Sequence, residues 1–281
     1  MPDSVCLFAA YAPTGELPPY TAYYLSELIQ CGFTVHLALS GCKQASKKTT
    51  TFCNKKNIII WCRSNSGYDF GAWKDLILQD CTKNTCRVLL ANDSVFGPFT
   101  SLSLIFDRME KENGDVWGLV HSQSVIPHLQ SWFVCFENNS FHLPAVQRTL
   151  LQNFDHMTRD ELIWHGELGL ALACRVEGLS TKAAWNDPGL LDRLFKTNAM
   201  HSQWRQLIRS GKVPFIKTEL LRDNPFHLRS TSRWKDILPA ETTFNPEWIT
   251  HYLNMNGPRA GRPQINRKCR LLYTLIENMT G

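Results

Sequence analysis

No stretch of this chain approaches the ~18 consecutive apolar residues that a membrane-crossing helix requires, so no such helix is expected. The opening MPDSVCLFAAY has neither a basic start nor a long apolar core, so no secretory signal peptide is expected and a cytoplasmic setting is. The ten cysteines include no CxxC pair, which removes the commonest zinc spacing. Cys6, Cys62, Cys135 and Cys174 fall inside apolar segments, and the expectation is reduced thiols in a core. GxGxxG, the Walker loop, GxSxG and HExxH are all missing, and with them the commonest nucleotide and hydrolase signatures. Charge of one sign is scarce too. With 30 Lys and Arg against 25 Asp and Glu the net charge is +5, and no basic run is interleaved with aromatics. Nucleic acid is therefore not an expected partner, whereas an anionic ligand or peripheral contact with an anionic membrane surface suits the balance.

What is present is an ordinary globular composition, 43% hydrophobic and 20% charged over 281 residues. Val5 to Ala10, Phe33 to Leu39, Asn57 to Cys62 and Arg87 to Ala91 are short apolar runs of the kind a strand buried on both faces requires. Helical stripes lie between them, at Tyr20 to Gln30 and from Ala72 to about Asp80, while Ser40 to Lys56 reads as a polar loop. An amphipathic segment at Leu102 to Met109 leads to further strands at Val116 to His121 and Trp132 to Phe136. Leu143 to Asn153, Arg193 to Ser210, Pro246 to Met255 and Lys268 to Met279 read as helical; Glu161 to Cys174 is apolar, and Gly257 to Arg267 is rich in Pro, Gly and Arg. Strand and helix alternating at this spacing predict βαβ units, a mostly parallel sheet and a helical C-terminal part.

Polar residues gather at the strands' carboxyl ends: Tyr11, then Asn65 to Asp69, then Asn92, Asp93 and Ser94. Ligands of open α/β sheets bind at that edge. Asp93 suits a hard divalent cation that bridges a diphosphate, although an Asx-turn capping the next segment would also select Asp and Ser. Asn65 and Asp69 could hold a base or ribose, or cap the following helix. Glu167 is either a general base or an acid placed at a helix start. Lys217 and Arg222 suit a leaving diphosphate, or a solvated surface.

Six blocks then occur in order: Asn65–Trp73 (NSGYDFGAW), Leu90–Pro98 (LANDSVFGP), Asp115–Gly118, His128–Phe133 (HLQSWF), Glu167–Leu170 and Pro214–Lys217. Together they resemble the rhamnan-synthesis protein F family of bacterial polysaccharide-assembly glycosyltransferases, over roughly residues 5 to 226. The resemblance implies a GT-A-like fold, one continuous domain with a nucleotide-sugar half at 1–125 and an acceptor half with C-terminal helices at 126–281. It implies that Tyr11, Asn65, Gly67, Tyr68, Asp69, Asn92, Asp93, Ser94, Lys217 and Arg222 line the nucleotide sugar. His128, Gln130 and Ser131 would face acceptor or sugar, and Glu167, with Asp93 as rival, would be the catalytic base. Asn92-Asp93-Ser94 stands where such folds carry Asp-x-Asp, so a Mg²⁺ or Mn²⁺ ion held by Asp93 is an open expectation. The implied donor is dTDP-L-rhamnose and the implied acceptor a glycan or lipid-linked glycan at the inner face of the membrane. Another nucleotide sugar, or a binding protein without catalysis, are the alternatives.

Overall fold

The computed structural model describes residues 4–186, 194–259 and 265–279. A mixed sheet forms its centre, built from β1 (Ser4–Tyr11), β2 (Thr34–Ser40), β3 (Ile59–Arg63), β4 (Arg87–Asn92), β6 (Val116–Ser122), β7 (His128–Leu129), β8 (Phe133–Phe136) and β9 (Thr181–Trp185). The order is β3-β2-β1-β4-β8-β6-β7, with β9 added to β6. Strands β3, β2, β1 and β4 run parallel, as the alternation predicts, but β3 is a half-exposed edge strand rather than one buried on both faces; β8 enters antiparallel to both β4 and β6. A separate two-residue ladder joins β5 (Val95–Phe96) to β10 (Ile216–Lys217) and sets Lys217 opposite Val95.

Alternation along β1 explains the layers. Cys6, Phe8 and Ala10 point into a core with α1 (Pro19–Gln30) and α4 (Ser103–Glu112). Val5, Leu7 and Ala9 point the other way, toward α3 (Tyr68–Leu78), α5 (Pro144–Leu150) and α7 (Gly169–Val176). Covering both faces is what allows the central strands to be apolar throughout. A third cluster, with Tyr20, Phe96, Trp204, Trp234, Phe244 and Tyr273, joins the C-terminal part to the sheet. It carries α8 (Ala199–Ser202), α9 (Trp204–Arg209), α10 (Thr218–Arg222), α11 (Glu247–Met255) and α12 (Arg267–Met279).

The α/β class with a helical C-terminal part is as expected; two further local readings are corrected and one strand is added. Ser40 to Lys56 is no loop throughout, because α2 (Lys47–Lys55) forms behind a Ser46 cap that accepts from the Thr49 N–H and buries Thr49 and Cys53. Strand β9, pairing with β6, was not apparent in the sequence. Cys62 is exposed rather than buried, whereas Cys6, Cys135 and Cys174 are buried as expected; all ten thiols are free. Arg193 of the segment to Ser210, and residues 260–264 of the segment from Gly257 to Arg267, lie outside the described residues. No helix among the described residues is long and apolar enough to cross a membrane.

Candidate active site

Strand order reverses between the neighbouring strands β1 and β4, since the chain moves outward from β1 to β2 and β3 on one side and returns to β4 on the other, and a switch-point crevice is expected at their carboxyl ends. The carboxyl ends of β1 and β4 meet there: the Tyr11 N–H donates to Asp93 Oδ2 at 2.9 Å, and the Asp93 N–H donates to the Ala9 carbonyl at 3.1 Å. Such a switch point is the usual ligand site of an open α/β sheet.

Asn92 organises its neighbours. Its Nδ2 donates to Asp69 Oδ2 at 2.6 Å, while its Oδ1 accepts from the Ser94 N–H at 3.1 Å and the Ser94 hydroxyl at 2.6 Å. Asp69 reaches it from the first turn of α3. That helix is pinned by Trp73, a buried indole whose Nε1 donates to the Ala91 carbonyl at 3.2 Å. Gly67 precedes α3 with φ 66°, a conformation that favours glycine, and Tyr68 follows at φ 49° with its ring on the exposed rim. Burial raises the carboxyl of Asp69 to about 6, against the pull of Lys217. Burial, reinforced by the nearby Asp69, pushes Asp93 up to about 7 against the opposing Tyr11 bond.

Lys217 closes the crevice from the β5–β10 ladder. Its Nζ donates to the Ser94 hydroxyl at 3.3 Å and stands 5.2 Å from the Trp132 ring centre. Burial lowers this ammonium to about 8, opposed by Glu167, Asp69 and Glu219. Lys217 therefore lies within electrostatic reach of both carboxylate groups of the site.

The second group sits on the π-helical stretch Ile163–Leu168 between α6 (Arg159–Leu162) and α7. Glu167 Oε2 accepts from the Ser131 N–H at 2.7 Å and the Ser131 hydroxyl at 2.6 Å, and Oε1 faces His128 Nε2 at 3.1 Å. The other ring nitrogen of His128 faces the Ile126 carbonyl at 2.7 Å. With an acceptor at each nitrogen, the ring satisfies both only as an imidazolium. The Glu167 contact accordingly raises His128 despite burial, and the His128 and Ser131 bonds lower Glu167 despite burial. Next to Glu167, Gly166 lies against the Phe70 ring so closely that a β-carbon there would come within 2.8 Å of it.

Not every expected residue joins this cluster. Gln130 is buried and bonded to Asn198 and Trp132. Arg222 pairs through two bonds with Asp223 and donates to the Tyr252 hydroxyl at 3.0 Å. Asn65 is exposed on the loop leading to α3, and Tyr11 offers its backbone while its ring is exposed. Trp132, on which Lys217 rests, and Asn198, which holds Gln130, were missed. Trp132 stood within an apolar run that reads as core, and Asn198 carried no signal of its own.

Among the described residues no three His, Cys, Asp or Glu gather as a metal-binding group. The donor set at Asp93 and Asp69 is nonetheless all oxygen, and magnesium or manganese needs only one or two protein carboxylates beside water. Their raised proton affinities mark two carboxylates that a nearby cation would relieve.

The virulence protein VirA of Vibrio anguillarum (strain ATCC 68554 / 775) is 28% identical over 223 residues, covering 68% of this chain and 71% of that protein. Among solved structures, the mannosyltransferase Ktr4p from S. cerevisiae in complex with GDP overlays at 4% identity and TM-score 0.34, covering 55% of this chain and 64% of that one, just under two thirds of its length. Glucosyl-3-phosphoglycerate synthase from Mycobacterium tuberculosis, in complex with UDP, overlays at 12% identity and TM-score 0.34, covering 74% and 78%. Overlays this loose transfer neither fold nor function. The family model described as rhamnan synthesis protein F matches residues 41–274, and the chain belongs to that family.

Proposed function

We propose that this protein is a GT-A-like glycosyltransferase that moves a deoxysugar, L-rhamnose from dTDP-L-rhamnose, onto a growing cell-surface polysaccharide or lipopolysaccharide glycan. Membership of a family named for rhamnan synthesis supports polysaccharide assembly. The observation that carries the reading is the convergence of Asp69, Asn92–Ser94 and Lys217 at the switch point, with Glu167 within electrostatic reach of Lys217. An anionic donor needs a cation at the leaving diphosphate, and Lys217 is placed to supply it. Arg222 is already paired with Asp223 and Tyr252, so Lys217 rather than Arg222 is the side chain placed for that role.

In an inverting transfer the acceptor hydroxyl attacks the anomeric carbon from the face opposite the diphosphate. One C–O bond forms as the other breaks, and the hydroxyl proton passes to a carboxylate. Glu167 is held for this from behind by His128 and Ser131. It stays ionised across the neutral range, and Oε1 keeps a lone pair for the acceptor. One observation favours a second reading. Asp93, raised to about 7, has the proton affinity that suits a base near neutral pH. Asp93, with Asp69, would also be the residue to hold a divalent cation, whose chemistry would be to neutralise charge on the leaving diphosphate.

A donor screen that measures release of the nucleoside diphosphate tests the proposal. Release from dTDP-L-rhamnose in the presence of a glycan acceptor is expected. Turnover only with a UDP-hexose would replace the donor, and binding of dTDP without release from any donor would leave a binding protein. A rate limb near pH 7 lost in Asp93→Asn would assign the base to Asp93, and its absence to Glu167.

A further inference from the structure

Helix α12 turns its inner face, Tyr273, Ile276 and Glu277, into the protein. Its carboxylate is committed there: Glu277 accepts from the N–H groups of Ser230 and Arg229. The outward face is unusual for a helix in water. Leu271, Leu275 and Met279 recur every fourth residue and are 56%, 58% and 72% exposed. At 100° per residue they form one stripe, with Arg267, Lys268 and Arg270 exposed around its first turn and Thr274 and Asn278 as the remaining polar neighbours. Among the described residues of α12 no carboxylate lies on that face. Leu194 and Phe195, also more than half exposed, come four and three residues before Asn198, whose N–H donates to the Tyr273 hydroxyl of α12 at 2.9 Å. Lys196 between them is exposed as well.

We propose that the outer face of α12 is a docking surface for an anionic lipid membrane, with Leu271, Leu275 and Met279 entering the headgroup boundary and Arg267, Lys268 and Arg270 meeting lipid phosphates. An apolar stripe flanked by cations and free of acids is the pattern of a helix lying in the membrane plane. Basic residues beside the stripe favour lipid over a neutral protein groove, because each gains from the negative surface potential. The face is tied to the crevice. Asn198 Oδ1 accepts from Gln130 at 3.0 Å, Gln130 accepts from the Trp132 indole at 3.2 Å, and that indole underlies Lys217. A docked α12 thus fixes how the crevice is presented to the lipid surface. Docking itself is independent of which donor the crevice takes.

The test is co-sedimentation of the purified chain with vesicles of phosphatidylglycerol and phosphatidylethanolamine, against vesicles of phosphatidylcholine alone. Binding to the anionic vesicles, weakened by salt, is expected. The pair Leu271→Glu and Leu275→Glu should lower partition by at least about tenfold. The triple change Arg267→Gln, Lys268→Gln and Arg270→Gln lies wholly in solvent, guards against misfolding, and should lower partition and flatten the salt dependence. Equal partition of parent and variants, or equal binding to phosphatidylcholine, overturns the proposal. So does a concentration-dependent dimer abolished by the leucine pair, which would make a second copy the occupant.

Discussion

Replacing Asp93 by Asn should stabilise the ligand-free protein while damaging its function, and the size of the gain follows from the crevice. Asp93 sits with Asp69 nearby, and burial first, then that second carboxylate, lift it from 3.8 to about 7. At about 1.36 kcal/mol per unit, a rise of this size caps the cost of its charge at about 4 kcal/mol. Asp93 is only half-buried, and solvent screening brings the working figure to about 1–2 kcal/mol. The sign follows from proton linkage. The folded carboxyl holds its proton more tightly than the unfolded chain does, so stability falls as pH rises from about 4 to about 7, and the whole cost stands above that. Asn keeps an acceptor for the Tyr11 N–H and carries no charge. For a chain of this length the gain at about pH 8 corresponds to roughly 2 to 6 °C in melting temperature, and near pH 4 it should vanish. Thermal unfolding followed by circular dichroism at both pH values measures it. An equal shift at both, or a loss at pH 8, would refute the electrostatic account. Manganese should raise the melting temperature of the parent at pH 8 and leave the variant nearly unmoved.

Lys217→Met keeps the stem over Trp132 and removes the charge. It should weaken nucleoside diphosphate binding about 10- to 100-fold by titration calorimetry while leaving the unphosphorylated nucleoside unaffected. In the parent, diphosphate affinity should fall as pH rises through about 8, where the free ammonium loses its proton; a flat profile would count against Lys217 as the anion's partner. Glu167→Gln should abolish transfer and leave diphosphate affinity within about twofold, and substantial turnover would remove Glu167 as the base. The imidazole of His128, followed by NMR, should titrate above its ordinary 6.5, so its pairing with Glu167 is complete at low pH and lost as pH rises through that raised value. A midpoint below 6.5 would overturn the imidazolium assignment.

The central strands were legible because burial on both faces makes a run such as VCLFAA or VLLA apolar throughout, a local property of the chain. The clustering of Tyr11, Asp69 and Asn92–Ser94 was legible for a related reason, since polar residues that end buried runs must emerge at one edge. Direction was not. Phe133 to Phe136 reads as a strand whichever way it runs, and only its partners β4 and β6 make it antiparallel. Strand β9 depends on pairing between residues 65 positions apart, and its TKAAW carries little apolar signal. Helix α2 hid in a Lys- and Thr-rich segment of poor helix propensity, and its stability comes from Ser46 and from buried Thr49 and Cys53. The expectation for Glu167 named the residue but not its three bonds, because His128 and Ser131 lie more than 35 positions earlier in the chain.

The close approach of Gly166 to Phe70 has a mechanical meaning. Phe70 directly follows Asp69, and Gly166 directly precedes Glu167, so one ring-to-backbone contact stands between the two walls of the crevice. The spacing between Asp69 and Glu167 is gauged there by a missing methyl group. Alanine at 166 would push the jaws apart and leave each wall intact, with Asn92 still holding Asp69 and Ser131 still holding Glu167. The spacing of the two carboxylates and the polar bonds that hold each of them are set by different residues.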